Sequence, residues 1–158
     1  MTVGIIGSGT MGSGIAQVAA TADCKVLVFD TNQKALYTSK EKLDSILTRL
    51  IEKGKIDDAK KSSIQNNIQY ISDLSGFKSS DVIIEAIVED AEIKKTVFKG
   101  LEEHVSEDCI IASNTSSLSI TSLAACLNNP KRFIGIHFFN PAPLMKLVEV
   151  IPAIQTEI

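Results

Sequence analysis

Short apolar runs recur along the chain at Val3 to Ile6, Val26 to Phe29, Val82 to Ile84, Cys109 to Ala112, Phe133 to Phe138 and Leu147 to Ile151. Each has the length of a strand buried in a sheet. Between them the apolar period changes to three and four. Leu36, Leu43, Ile46, Leu47, Leu50 and Ile51 stand among Lys, Glu and Asp, which predicts a long amphipathic helix ending near Gly54. A shorter helix is expected from Asp57 to about Asn66, another on the stripe Ile93, Val97, Leu101 and Val105, and another from Ser119 to Leu127. Alternation of strand and helix places the chain in the α/β class, with a sheet that is parallel at its centre. The last two runs break the rule. Between Phe138 and Lys146 lies Phe139-Asn140-Pro141-Ala142-Pro143-Leu144-Met145, too short for a crossover helix, so these two strands are expected to be antiparallel neighbours at the sheet edge.

Composition adds bounds to this picture. With 158 residues, 44% of them hydrophobic, the chain is long enough to bury a core of its own, and residues 1–158 are expected to form one domain. It stops at Ile158 just after a strand, which reads as a boundary set within a longer protein. The net charge of −3 is spread without blocks, so no basic face exists for nucleic acid, and an anionic ligand must be held by local N–H groups. No apolar stretch approaches the ~18 residues of a membrane span, and Met1-Thr2-Val3 runs straight into a strand with no room for a signal peptide. A cytoplasmic protein with no membrane partner is expected. Cys24, Cys109 and Cys126 have no paired spacing and lie in or beside apolar runs, so they are expected to be buried reduced thiols, with no metal site.

The chemistry begins at Gly7-Ser8-Gly9-Thr10-Met11-Gly12, which follows the first strand and opens a small-residue helix. Gly7 fits the tight turn, Gly9 lets backbone approach a pyrophosphate, and Gly12 lets the helix pack closely, while the helix N-terminus offers free N–H groups to the anion. The second strand ends in Asp30, an acid at about the 20-residue spacing of a ribose reader. Together they predict a Rossmann-type doubly wound sheet binding a dinucleotide.

Ligands of such sheets bind at the carboxyl ends of the strands. Three polar clusters fall there: Glu89-Asp90, Ser113-Asn114-Thr115-Ser116-Ser117, and His137 to Asn140. Glu149 stands alone between Val148 and Val150, and a carboxylate buried in such a strand needs a partner. If the last two strands are neighbours, that partner is His137, either as a structural pair or as a general base oriented by a carboxylate. His137 in a core without chemistry is the plainer alternative. Ser117 or Ser119 is expected to cap the following helix, and at least one other hydroxyl of the cluster to touch cofactor or substrate. No G-x-S-x-G elbow marks a serine nucleophile. Lys53 and Lys55 end the long helix, where cations suit the helix dipole, or else form a phosphate clamp. His104 is expected to be a solvated helix residue.

Four segments, GSGTMGSGIA from Gly7, EAIVE from Glu85, ASNTSSLSIT from Ala112 and HFFNPAPLMKLVEVI from His137, resemble the NAD-binding domain of 3-hydroxyacyl-CoA dehydrogenases, most of all the bacterial 3-hydroxybutyryl-CoA enzymes. The resemblance implies NAD as cofactor, bound by Gly7, Gly9, Thr10, Met11, Gly12, Asp30, Ala86, Glu89, Lys94, Ser116 and Asn140. It implies catalysis by His137, with Glu149 paired to it and Ser116 on the substrate oxygen, and coenzyme A contacts at Ser116 and Lys53. It also implies an acyl-CoA substrate, and a helical C-terminal domain, absent from this chain, that makes a homodimer. A dehydrogenase of another 3-hydroxy acid, of the gulonate type, and a catalytically silent dinucleotide-binding module remain the rival readings.

Overall fold

The computed structural model describes residues 1–157. Seven strands form one sheet in the order β3-β2-β1-β4-β5-β6-β7. They are β1 (Thr2–Ile6), β2 (Lys25–Phe29), β3 (Ile68–Ile71), β4 (Val82–Glu85), β5 (Ile110–Ser113), β6 (Phe133–Phe138) and β7 (Val148–Pro152). The first six lie parallel to their neighbours, and β7 runs antiparallel to β6. The chain leaves β1 toward β2 and β3, then returns to lay β4 on the other side of β1. The crevice outside the carboxyl ends of β1 and β4 is therefore the topological switch point, where open α/β sheets bind ligands.

Helices α1 (Thr10–Thr21), α2 (Gln33–Glu52) and α3 (Asp58–Asn66) cover one face, and α4 (Ala91–Glu102) and α5 (Ile120–Ala124) the other. Strand pleating decides which residue meets which layer. Val3 and Ile5 of β1 join Ile15, Ala16 and Leu47 beneath α1 and α2, whereas Ile6 points the other way, into the cluster of Phe77, Ile83, Phe98 and Phe133. Both faces of the central strands are thus buried, and the apolar runs of the sequence express that double burial.

Several expectations need correction. The sheet has a strand, β3, that no apolar run announces; it borders only β2, and its four residues include the exposed Gln69. On α4 the buried residues are Lys94, Phe98 and Leu101, while Ile93 is exposed at the N-terminal end and Val105 lies past the helix. The helix expected from Ser119 to Leu127 is only α5, with Ser119 as its N-cap. His104 is exposed but follows α4 and is not part of it. Of the three unpaired cysteines only Cys109 is fully buried; Cys24 and Cys126 are half-buried. Burial pushes the Cys109 thiol up to about 11.

Candidate active site

A cleft of about 860 Å³ lies over the switch point. Its floor is the glycine turn. Gly7 takes a positive φ of 102°, and a Cβ there would lie 2.6 Å from the Ala86 carbonyl oxygen, so only glycine fits. A Cβ on Gly12 would meet the Gly7 carbonyl oxygen at 1.9 Å, so the close approach is between the helix and the turn itself. Above Gly9 there is open space. The α1 N-terminus carries no side-chain cap, whereas α2, α3, α4 and α5 are capped by Asn32, Asp57, Asp90 and Ser119. Thr10 and Met11, the first residues of this helix, line the cleft, which puts the partial positive charge of a helix start beside it. An anion completes such an end.

Asp30 sits at the carboxyl end of β2 and is held from both sides. Its Oδ2 accepts from the Ser8 amide and the Ser8 hydroxyl, both at 2.8 Å, and its Oδ1 from the Asn32 amide at 2.9 Å. Burial alone would raise this carboxyl, but the hydrogen bonds from Asn32 and Ser8 outweigh it and hold it below its ordinary value.

At the other end of the cleft, His137 and Glu149 face each other across the β6–β7 ladder. His137 Nδ1 lies 2.7 Å from Glu149 Oε2. A neutral ring donating from Nδ1 leaves Nε2 with a free lone pair, the tautomer a proton acceptor needs. The burial expected of Glu149 is absent: its side chain is 48% exposed against 16% for His137, and all of β7 is exposed. The pair forms because the antiparallel register sets the two residues opposite each other, not because an interior carboxylate demands a partner.

The hydroxyl cluster after β5 is mostly spent on structure. Ser113 Oγ donates to Glu85, Asn114 Oδ1 accepts from the Phe138 amide at 2.8 Å, and the hydroxyls of Thr115 and Ser117 donate to Glu89. Among the described residues Ser116 alone of the five lines the cleft with an uncommitted hydroxyl. Glu89 also pairs with Lys94 at 3.2 Å. Burial would raise Glu89, yet the Thr115 hydroxyl, the Lys94 ammonium and the Ser117 hydroxyl together keep it below its ordinary value.

Ala86, Glu89, Lys94 and Asn140 line the same cleft, so it gathers nearly every residue singled out in the sequence. Gly12 and Glu149 stand behind the lining, next to Gly7 and His137, and Lys53 lies apart, capping the C-terminal end of α2. Sequence reasoning gave no role of their own to Ser8 and Glu85, and took Asn114 and Thr115 only as members of a polar cluster at the ligand end. The signal for Glu85 was a carboxylate ending an otherwise apolar strand.

Fold and cleft define a doubly wound dinucleotide-binding domain whose ligand end carries a histidine–carboxylate pair. Residues 2–158 match the family described as 3-hydroxyacyl-CoA dehydrogenase, NAD binding domain, and the chain belongs to that family. It is 47% identical over 156 residues to a probable 3-hydroxybutyryl-CoA dehydrogenase of Deinococcus radiodurans, covering 99% of this chain and 56% of the relative. Against the 3-hydroxybutyryl-CoA dehydrogenase of Clostridioides difficile the identity is 48%, covering 96% of this chain and 54% of the relative. The crystal structure of (S)-3-hydroxybutyryl-CoA dehydrogenase from Ralstonia eutropha superimposes with a TM-score of 0.95 at 44% identity, covering 98% of this chain and 55% of that one. The chain thus spans about half the length of these relatives.

Proposed function

We propose that this chain is the cofactor-binding and proton-transferring part of an NAD-dependent dehydrogenase acting at C3 of short-chain 3-hydroxyacyl-CoA, such as the 3-hydroxybutyryl-CoA/acetoacetyl-CoA pair. The observation that carries the reading is the His137–Glu149 pair on the wall of a cleft whose floor is an uncapped helix start. The residues present fit NAD: the open space over Gly9 and the Thr10 and Met11 amides suit a pyrophosphate, and the fixed Asp30 carboxylate suits the hydroxyls of a ribose. NAD supplies the hydride acceptor or donor.

In the direction of oxidation, His137 Nε2 takes the proton of the 3-hydroxyl as the C–H bond at C3 gives up its hydride. Glu149 holds Nδ1–H in place and faces the positive charge that the ring then carries. The Ser116 hydroxyl would donate to the same substrate oxygen, and Glu89, Lys94 and Asn140, which line the cleft, would hold the nicotinamide end of NAD. Lys53 as a coenzyme A contact rests on the resemblance alone.

The same proposal takes residues 1–158 as one domain, supported among the described residues by the single sheet with a core on each face. It includes a reducing, cytoplasmic home, supported by three unpaired thiols, and a homodimer for the whole enzyme, supported by the apolar side chains exposed around β7. No described helix is long and apolar enough to cross a membrane.

The test is NADH oxidation by acetoacetyl-CoA, run on this chain and on a fusion to the C-terminal half of the Clostridioides difficile relative. Turnover in the fusion, abolished by His137→Gln and inhibited by free coenzyme A, is the expected result. A fusion that binds NADH but leaves acetoacetyl-CoA unreduced contradicts the proposal.

A further inference from the structure

Beneath the cleft, at the carboxyl ends of β4 and β5, lies an ionic cluster that the proton and hydride transfers do not call on. Glu85 ends β4 with its side chain 0% exposed, and Lys94 on α4 is 1% exposed. A buried carboxylate is tolerated only when fully bonded. Glu85 meets that condition: Oε1 accepts from Lys94 Nζ at 2.5 Å and from the Ile87 amide at 2.7 Å, and Oε2 from Ser113 Oγ at 2.7 Å. Two branches lead outward from it. In one, Lys94 reaches Glu89 Oε2 at 3.2 Å, and Glu89 Oε1 accepts from the Thr115 hydroxyl and from the Ser116 amide at 3.2 Å. In the other, the Ser113 hydroxyl oxygen accepts from the Thr115 amide at 3.2 Å. Both end on the loop that carries Ser116.

We propose that Glu85 is a positioning residue: by holding Lys94 and Ser113 from below, it sets Glu89 and Ser116 at the nicotinamide end of the cleft. The inference rests on the cofactor reading above. The cluster contains two carboxylates and one ammonium, so removing the Glu85 charge leaves Lys94 to Glu89 alone. Glu89 is then drawn toward Lys94 and away from the amides of Ser116 and Ser117, which it now holds at 3.2 and 3.4 Å. The adenosine end, at Ser8 and Asp30, shares no hydrogen bond with the cluster among the described residues. Loss of Glu85 should therefore be felt at one end of the cofactor only.

Glu85→Gln keeps the shape and removes the charge; Ser113→Ala cuts the second branch more gently. The chain and both variants are titrated with NADH and with ADP, which has the adenosine and pyrophosphate but no nicotinamide. Amide hydrogen exchange at Ser116 to Leu118 is followed without ligand. Glu85→Gln is expected to weaken NADH by about tenfold or more, the loss of one charge-assisted hydrogen bond, with ADP changed less than about twofold and the loop amides exchanging faster. Ser113→Ala should move the same two readouts by less. Equal weakening of NADH and ADP, unchanged NADH affinity, or unchanged loop exchange would each overturn the assignment. Failure of the unmodified chain to bind NADH overturns the cofactor reading instead, and loop exchange then decides the role of Glu85 by itself.

Discussion

His137 has one ring nitrogen committed to Glu149 and, among the described residues, no partner on the other, and this asymmetry is what the proposed chemistry uses. In the fusion enzyme, His137→Gln should lower turnover by about 10² to 10⁴, the usual worth of a general base, with NADH affinity nearly unchanged. Glu149→Gln still accepts from Nδ1–H but no longer sets a negative charge opposite the loaded ring, so its loss of kcat should be real but smaller. Steady-state kinetics beside NADH titration separates these outcomes from general damage, which would lower affinity as well. The pair itself was legible in the sequence, because a lone Glu among valines opposite a His has few other partners. Its reason was not: Val148 and Val150 are exposed here, and an apolar run reports a surface that is covered without saying what covers it. In the same way, the hydroxyls from Ser113 to Ser117 drew notice as ligand contacts, yet most serve Glu85 and Glu89, which a one-dimensional pattern cannot show.

Among the elements, the strand-turn-helix from β1 to α1 is the most fully specified. Gly12→Ala drives a methyl group against the Gly7 carbonyl oxygen, and backbone on both sides prevents relief. Destabilisation of at least about 1–3 kcal/mol is expected in a denaturant melt, together with loss of NAD binding. The strand β3 escaped notice because an edge strand of four residues, paired only to β2, needs no continuous apolar run. Of the stripe on α4, Val97, Leu101 and Val105 pack on the core and Ile93 does not, while the core side also takes Lys94, a residue that counts as polar until its carboxylate partners are known.

The end of α4 carries a pH dependence. Burial would raise Glu102, but the amides of Asn128 and Asn129, at 2.8 and 2.9 Å, and the Arg132 guanidinium outweigh it and hold it below its ordinary value of 4.5. A carboxyl depressed on folding contributes stability that is complete above 4.5 and is lost as pH falls below that value toward its folded one. The melting temperature should therefore decline below about pH 4.5, and Glu102→Gln should be less stable at pH 7 but show a shallower decline. An identical slope in the variant would remove Glu102 from the explanation.

On the scale of the whole molecule, sheet order brings most of the candidate groups together. Because β4 returns to pair with β1, the glycine turn after β1, Ala86 after β4, the loop after β5 and His137 on β6 open into one cleft, and the antiparallel β7 sets Glu149 beside His137. The alternation of runs made this architecture readable from sequence, down to the antiparallel edge. Around that edge Leu144, Leu147, Val150 and Ile154 are all exposed. Apolar residues gathered like this promote association. Sedimentation of the 158-residue chain should show mass rising with concentration. Replacing Val150 and Ile154 by Ser should suppress it, and a monomer at all concentrations would show that this edge is not adhesive.

Calorimetric titration of this chain with NADH and with NADPH bears most directly on the cleft as a dinucleotide site. Asp30, held as an anion by Ser8 and Asn32, would confront a 2′-phosphate at ~4 Å, a repulsion of about 1 kcal/mol even in water and more where solvent is excluded. NADH should bind with one site per chain and at least about tenfold more tightly than NADPH, and Asp30→Ala should erase most of that preference. No binding of NADH, or binding of NADPH as tight as that of NADH, would contradict the assignment of this cleft and of Asp30 within it.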